Sequence, residues 1–162
     1  MSIITPSQFW EIFAKKLPKF ELKIVLRQSY YNSWTNLVFS FFESLSDEIE
    51  NIIDVQTIVH REAKHPNINP RERIDAVFYK ESNNFGNEVI FIEHENRINT
   101  PNELNELVKL AKISSNELKV FIWYYNVYKG IRNEVSCNIE RQKDSIIDIL
   151  KNYKAVNDNN WL

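Results

Sequence analysis

Three acidic residues stand at spacings that suit chemistry. Asp75 sits in the middle of RIDAVFY, and eighteen residues later Glu93 and Glu95 bracket His94 in FIEHEN. Residues i and i+2 of a strand project to the same face. Glu93 and Glu95 would therefore share one side, and Asp75 would join them if the two strands are neighbours. Val, Ile and Phe dominate the flanking positions. Like charges a few ångströms apart repel, and burial adds a desolvation cost. A divalent cation is the natural remedy, because Mg²⁺ favours carboxylate and water oxygens. A metal held in this way can activate a water and offset charge on a phosphodiester. Taken singly, each acid is most often a solvent-facing residue. It is their co-occurrence on apolar strands that points to a site.

The elements that would position these residues can be read in order. Thr5-Pro6-Ser7-Gln8 reads as a helix start, with Thr5 as N-cap, Pro6 at N1 and Gln8 in the reciprocal capping position. Phe9, Trp10, Ile12, Phe13 and Leu17 give the helix an apolar face, and Pro18 is expected to stop it. Phe20 to Leu26 fits a short helix or an edge strand. From Ser33 to Ile53 apolar residues recur at spacings of three and four, which predicts one long helix. Glu48 borders its buried stripe. Val55 to Glu62, Arg73 to Lys80 and Glu88 to Glu95 read as three strands, and short connections predict an antiparallel meander. Gly86 is the expected positive-φ residue of the second turn. Asn99-Thr100-Pro101 opens a helix with Leu104, Leu107, Val108, Ala111 and Ile113 on its apolar face. Lys119 to Tyr125 is a continuous apolar run, the mark of a strand covered on both sides. Asn138 to Lys154 forms a last amphipathic helix. The expectation is an α/β fold, a mixed β-sheet flanked by helices, in a single domain over 1–162 with a helical N-terminal extension over about 1–30.

Composition narrows the chemistry. The chain has 162 residues, 43% of them hydrophobic, enough for one sizeable core. Its 2 glycines, Gly86 and Gly130, exclude a phosphate-cradling glycine loop and a nucleophile elbow. The single Cys137 excludes an intrachain disulfide and a thiolate zinc cluster. No H-E-x-x-H spacing is present. His94 points away from the two glutamates that flank it and reads as a packed or hydrogen-bonded residue, while His60 and His65 flank a loop. Apolar runs are too short for a membrane span, and the first residues lack signal-peptide character, so a cytoplasmic location is expected. The net charge of -2 hides an acidic segment, Glu43 to Asp54, with five acids and no Lys or Arg. Basic residues gather around the strand region: Arg71 and Arg73 before the second strand, Arg97, Lys109 and Lys112 after the third. They are candidates for salt-sensitive contacts to phosphates.

An Asp on one strand and an acid-x-residue pair on the next, within this order of elements, resembles the PD-(D/E)XK nuclease superfamily, the restriction-endonuclease-like fold. The resemblance covers roughly Trp34 to Tyr125. Asp75 matches the family's metal-binding Asp and Glu93 its second acid. Glu95 stands where the family usually has Lys, a variant known among restriction endonucleases, and Ile74 replaces the motif Pro. The resemblance implies a Mg²⁺- or Mn²⁺-dependent endonuclease acting on nucleic acid, DNA in the first instance. Asp75, Glu93 and the backbone carbonyl of His94 would hold the metal, with Glu48 as a further acid from the preceding helix and Glu43 behind it. Glu95 would orient or deprotonate the attacking water. Lys109 or Lys112 could replace the missing Lys. A homodimer would suit cleavage of both strands. The alternative is a nuclease-fold module that binds DNA or protein without catalysis, motivated by the Lys-to-Glu departure. An unrelated α/β domain would leave the acids exposed.

Overall fold

The computed structural model describes residues 4–27, 31–81, 84–95, 103–123, 143–153 and 160–162, without the side chains of 19–27, 31–35, 37, 95, 103 and 123. The chain runs α1 (Pro6–Arg27), α2 (Tyr31–Glu43), α3 (Ser46–Ile53), β1 (Thr57–Ala63), β2 (Ile74–Lys80), β3 (Glu88–Glu95), α4 (Glu103–Ala111) and β4 (Leu118–Trp123). Residues 143–152 form a further helix, α5. The strands make one open sheet in the order β1-β2-β3-β4. β1, β2 and β3 are antiparallel neighbours, and β4 lies parallel to β3. The result is an α/β architecture with a mixed sheet. The predicted end of β4 at Tyr124 and Tyr125, the cap residues Asn99 to Pro101, Cys137 and Gly130 lie outside the described residues.

Helix α1 starts as its capping box dictates. The Thr5 N–H donates to Gln8 Oε1 at 2.9 Å, and the Gln8 N–H donates to Thr5 Oγ1 at 3.3 Å. It does not stop at Pro18, which lies inside the helix. An internal proline costs roughly 3 kcal/mol by removing one hydrogen bond and crowding the carbonyl four residues back. That is a local loss, and the following residues include Glu, Leu and Lys, good helix formers, so the helix resumes through Phe20–Leu26. Trp10 also departs from expectation. It is exposed, with its ring stacked on Phe13 at 5.9 Å, while Phe9 and Ile12 are buried.

The predicted helix over Ser33–Ile53 is two helices. At the break, Ser44 Oγ donates to the Phe41 carbonyl at 2.6 Å and the Leu45 N–H reaches only to Phe42. A serine side chain that competes for a helical carbonyl loosens the ladder there. Asp54 then takes a left-handed conformation that ends α3, and Glu50 accepts the Thr57 N–H at 2.7 Å, tying α3 to the start of β1.

Two cores form, one on each face of the sheet. On the first face, α1 to α3 bring Phe9, Ile12, Val38, Phe41, Phe42, Leu45 and Ile49 onto Ala76, Phe78, Ile90, Ile92, Leu118 and Val120. On the second, Val77, Tyr79 and Phe91 meet Ile68 from the β1–β2 loop and Leu110 and Ile113 from α4 and its exit. Strand alternation explains most of the partition: Ala76, Phe78, Ile90 and Ile92 face the first core and Val77, Tyr79 and Phe91 the second, while Ile74 joins the second core and Val89, beyond the register shift at Phe78/Tyr79, the first. Gly86 turns the β2–β3 hairpin with φ 95°, and a Cβ added there would meet nothing within 4 Å, so backbone conformation alone selects glycine.

The sheet's two outer strands are treated differently. β1 carries Glu62 at φ 53°, between the ladder pairs Arg61↔Ala76 and Ala63↔Ile74. Along β4, residues 160–162 add a short parallel bridge. The Lys119 N–H donates to the Asn160 carbonyl at 2.8 Å, the Leu162 N–H to the Lys119 carbonyl and the Phe121 N–H to the Leu162 carbonyl, both at 3.0 Å.

Candidate active site

The β2–β3 register brings the two predicted acids together. Ala76 pairs with Ile92, Val77 with Phe91 and Phe78 with Ile90. Continuing that register by one residue sets Asp75 opposite Glu93. Just past the last ladder pair, the His94 N–H donates instead to Asp75 Oδ2 at 2.9 Å. The His94 ring also turns to Asp75, with Nδ1 2.7 Å from Oδ2, and packs edge-on to Phe42 of α2 at 6.1 Å. His94 is thus both packed and hydrogen-bonded.

Glu93 is 0% exposed. Its β4 neighbour in register is Phe121, and α4 packs over β3. From α4 comes Lys109, 7% exposed, whose Nζ lies 2.7 Å from Glu93 Oε1. The same ammonium contacts Glu106 Oε2 one turn back along α4 and donates to the carbonyl of Arg73 at the entry to β2. Its three N–H groups therefore have three oxygen partners on three elements. The fully buried Glu93 side chain also interacts with Asp75 and Glu106.

Electrostatics follow from this packing. Burial, with the Asp75 charge beside it, pushes the Glu93 carboxyl well above the usual carboxylate range; Lys109 pulls the other way, and Glu106 adds to the rise. For Asp75, burial works upward, but the His94 hydrogen bonds and charge outweigh it and hold the carboxyl below its ordinary value. The neighbouring Glu93 carboxyl, as a hydrogen-bond partner, lowers Asp75 further. Lys109 would be lowered by burial, but Glu93 and Glu106 together raise it. Asp75, Glu93, Lys109 and Glu106 form one coupled group with a single lysine at its centre.

The other predicted residues fall elsewhere. Glu48 is held by α1, 3.0 Å from Lys15 Nζ and 3.6 Å from Lys16 Nζ. Its partners are these lysines and not Asp75 or Glu93, because its side of α3 meets α1. Glu43 is exposed. Glu95 ends β3, paired in register with Trp123, and its side chain lies outside the described residues, as does Arg97. Arg73 is folded onto its own loop, donating to the Pro70 carbonyl at 2.7 Å. Lys109 is buried in the acid cluster, so it is not a surface contact for DNA. Arg71 and Lys112 are exposed. Among the described residues, no three His, Cys, Asp or Glu side chains are grouped to hold a metal ion. Glu106 was absent from the sequence-based set. Its one signal is its place three residues before Lys109 on a helix, the spacing of facing side chains.

A second titratable group lies on the same face of the sheet. The His65 ring packs on Phe91 at 5.5 Å and on the exposed Phe85 at 5.4 Å, and its Nδ1 accepts the Asn67 N–H at 3.2 Å. Burial lowers its pKa while Glu88 opposes that shift. Glu88 itself accepts the Gly86 N–H at 2.6 Å. These bonds close the β1–β2 loop and the hairpin turn on themselves.

Among the described residues no helix is long and apolar enough to cross a membrane. Comparison of the chain with family models, curated proteins and solved structures finds no match.

Proposed function

We propose that the chain is a metal-dependent phosphodiesterase of the restriction-endonuclease-like fold, acting on DNA. One observation carries the reading: a fully buried glutamate, Glu93, set against Asp75 on the neighbouring strand and touched by a lysine. Two carboxyls held close together and buried repel and lose their hydration, and an oxygen-seeking cation would relieve both costs. The order of elements, a helix, a three-strand meander, a helix and a parallel strand, supports the same reading.

Asp75 and Glu93 fit a Mg²⁺ or Mn²⁺ ion, with the His94 carbonyl and Glu95 as further ligand candidates. Such an ion would lower the pKa of a bound water and offset charge on the phosphodiester. Lys109 takes the place of the family's lysine, entering from α4 instead of from the second position after Glu93. Its ammonium can hold a phosphate oxygen or the attacking water beside the carboxylates. Arg71 and Lys112, both exposed, are the candidates to meet the nucleic-acid backbone.

Incubating the protein with supercoiled, linear and single-stranded DNA in Mg²⁺ or Mn²⁺ tests this. Cleavage is expected, falling to background in Asp75→Ala and Glu93→Gln and on adding chelator. Equal activity in the wild type and Asp75→Ala would sink the reading. A second reading rests on Lys109 and His94. These two side chains already contact Glu93 and Asp75 internally, as suits a binding module without catalysis. DNA binding that ignores chelator, with no cleavage of any DNA form, would favour it.

A further inference from the structure

We infer that Glu106 is the positioning residue of the site: together with the Arg73 carbonyl it anchors Lys109, so that the remaining N–H of the ammonium is aimed at Glu93. The inference rests on the proposed function for its catalytic consequence, and on contacts alone for the anchoring. A lysine side chain is a flexible four-carbon stem carrying a point charge, with about 2 kcal/mol of rotamer entropy. Nothing in such a stem fixes where the charge sits. Here three oxygens fix it: Glu106 Oε2 from its own helix, the Arg73 carbonyl from the entry to β2, and Glu93 Oε1 from β3. The three are not equivalent. Glu93 is the residue that a cation would recruit, so its bond to Lys109 is the one that is exchanged. Glu106 and the Arg73 carbonyl remain, and two fixed acceptors leave a tetrahedral ammonium one direction for its third donor.

Burial supports this division of labour. Glu93 is sealed from water, whereas the Glu106 side chain is 30% exposed. Glu106 therefore stands at the solvent side of the cluster, in contact with Lys109 and close to the buried acid. It is also the one anchor that can be removed by substitution, because the Arg73 acceptor is backbone. Glu106 does not need to touch substrate. It acts through Lys109.

The test uses Glu106→Ala and Glu106→Gln, each first shown to melt as the wild type does. In the native protein, the rate of acetylation of each lysine is read by mass spectrometry. Lys109 should be protected in the wild type. In Glu106→Ala its labelling should rise by about tenfold or more, the scale of a single lost contact of roughly 1.4 kcal/mol. Lys112 and the other lysines should be unchanged. Glu106→Gln keeps an acceptor oxygen and should restore most of the protection. For the cleavage reaction, a misplacement of about 1 Å can cost about 10²-fold, so Glu106→Ala should lower kcat on that scale with KM little changed, and Glu106→Gln should recover most of it. Unchanged Lys109 labelling in Glu106→Ala would overturn the inference. So would an active wild type whose kcat is unaffected by Glu106→Ala. If the wild type cleaves nothing, the proposed function fails while the labelling arm still decides the anchoring.

Discussion

The two faces of the sheet are built to opposite ends. The face under α1 to α3 is closed by aliphatic and aromatic side chains from three helices, with Phe78, Ile90 and Ile92 fully buried beneath them. The face under α4 is covered by one short helix and a loop, and buries Glu93 and Lys109 beside a smaller apolar cluster. Replacing buried ion pairs by apolar residues of similar volume is often neutral or stabilising. The second face therefore keeps its charges at a cost in stability that the first face offsets. The difference separates a foundation from a workplace on one four-stranded sheet.

The comparison can be broken by substitution on either side, and the first face should respond most. Phe78→Ala should cost about 3–5 kcal/mol, read as a lower midpoint in urea unfolding. A loss below 1 kcal/mol would mean that the first face is not the foundation. Next in size, Lys109→Met leaves Glu93 buried beside Asp75 and should cost about 3 kcal/mol near pH 8. That loss should shrink as pH falls, because Glu93 then takes up a proton. The double variant Glu93→Met with Lys109→Met should regain most of it, and a double variant as unstable as the single would show that the charges stabilise the fold.

The pH profile separates the two acids. The folded Glu93 carboxyl is raised above its ordinary 4.5, so its contribution is greatest below that value and is lost as pH climbs through the folded value. The folded Asp75 carboxyl lies below its ordinary 3.8, so its contribution is present above 3.8 and is lost as pH falls through the folded value. Urea midpoints measured across pH should therefore decline toward both ends. Glu93→Gln should remove the decline on the alkaline side, and Asp75→Asn the one on the acid side. The smallest effects belong to exposed residues. Arg71→Ala and Lys112→Ala should alter stability by less than about 0.5 kcal/mol, while weakening DNA binding and flattening its salt dependence. Unchanged binding in both would remove them from the nucleic-acid surface.

Much of this arrangement is legible in the residues. Strand β3 has the bounds that its alternation predicts, Glu88 to Glu95, and β2 begins one residue later than expected. Asp75 and Glu93 meet because a strand's period is 2 and the hairpin fixes its register, both local properties. What stayed hidden is non-local or a matter of a single atom. Ser44 breaks a helix through one hydroxyl that its apolar periodicity does not register. Pro18 is carried because the residues around it sustain the helix. Glu48 borders a buried stripe, but its partners are two lysines of α1, a choice that only helix packing makes. Lys109 looked like one of many surface cations, and only the docking of α4 on β3 turns it inward, bringing Glu106 with it.

The outer strands bear on how this chain behaves in company. An uncovered strand edge offers a row of backbone donors and acceptors to any passing chain, and long flat edges are sites of aggregation. Neither edge here is of that kind. Glu62, left-handed within β1, bends the strand out of the straight repeat that a second strand would need. Along β4, residues 160–162 occupy the edge themselves, with the Lys119 ammonium over the Trp161 ring at 5.5 Å. A sheet so edged, among the described residues, resists fibril-like growth through its outer strands.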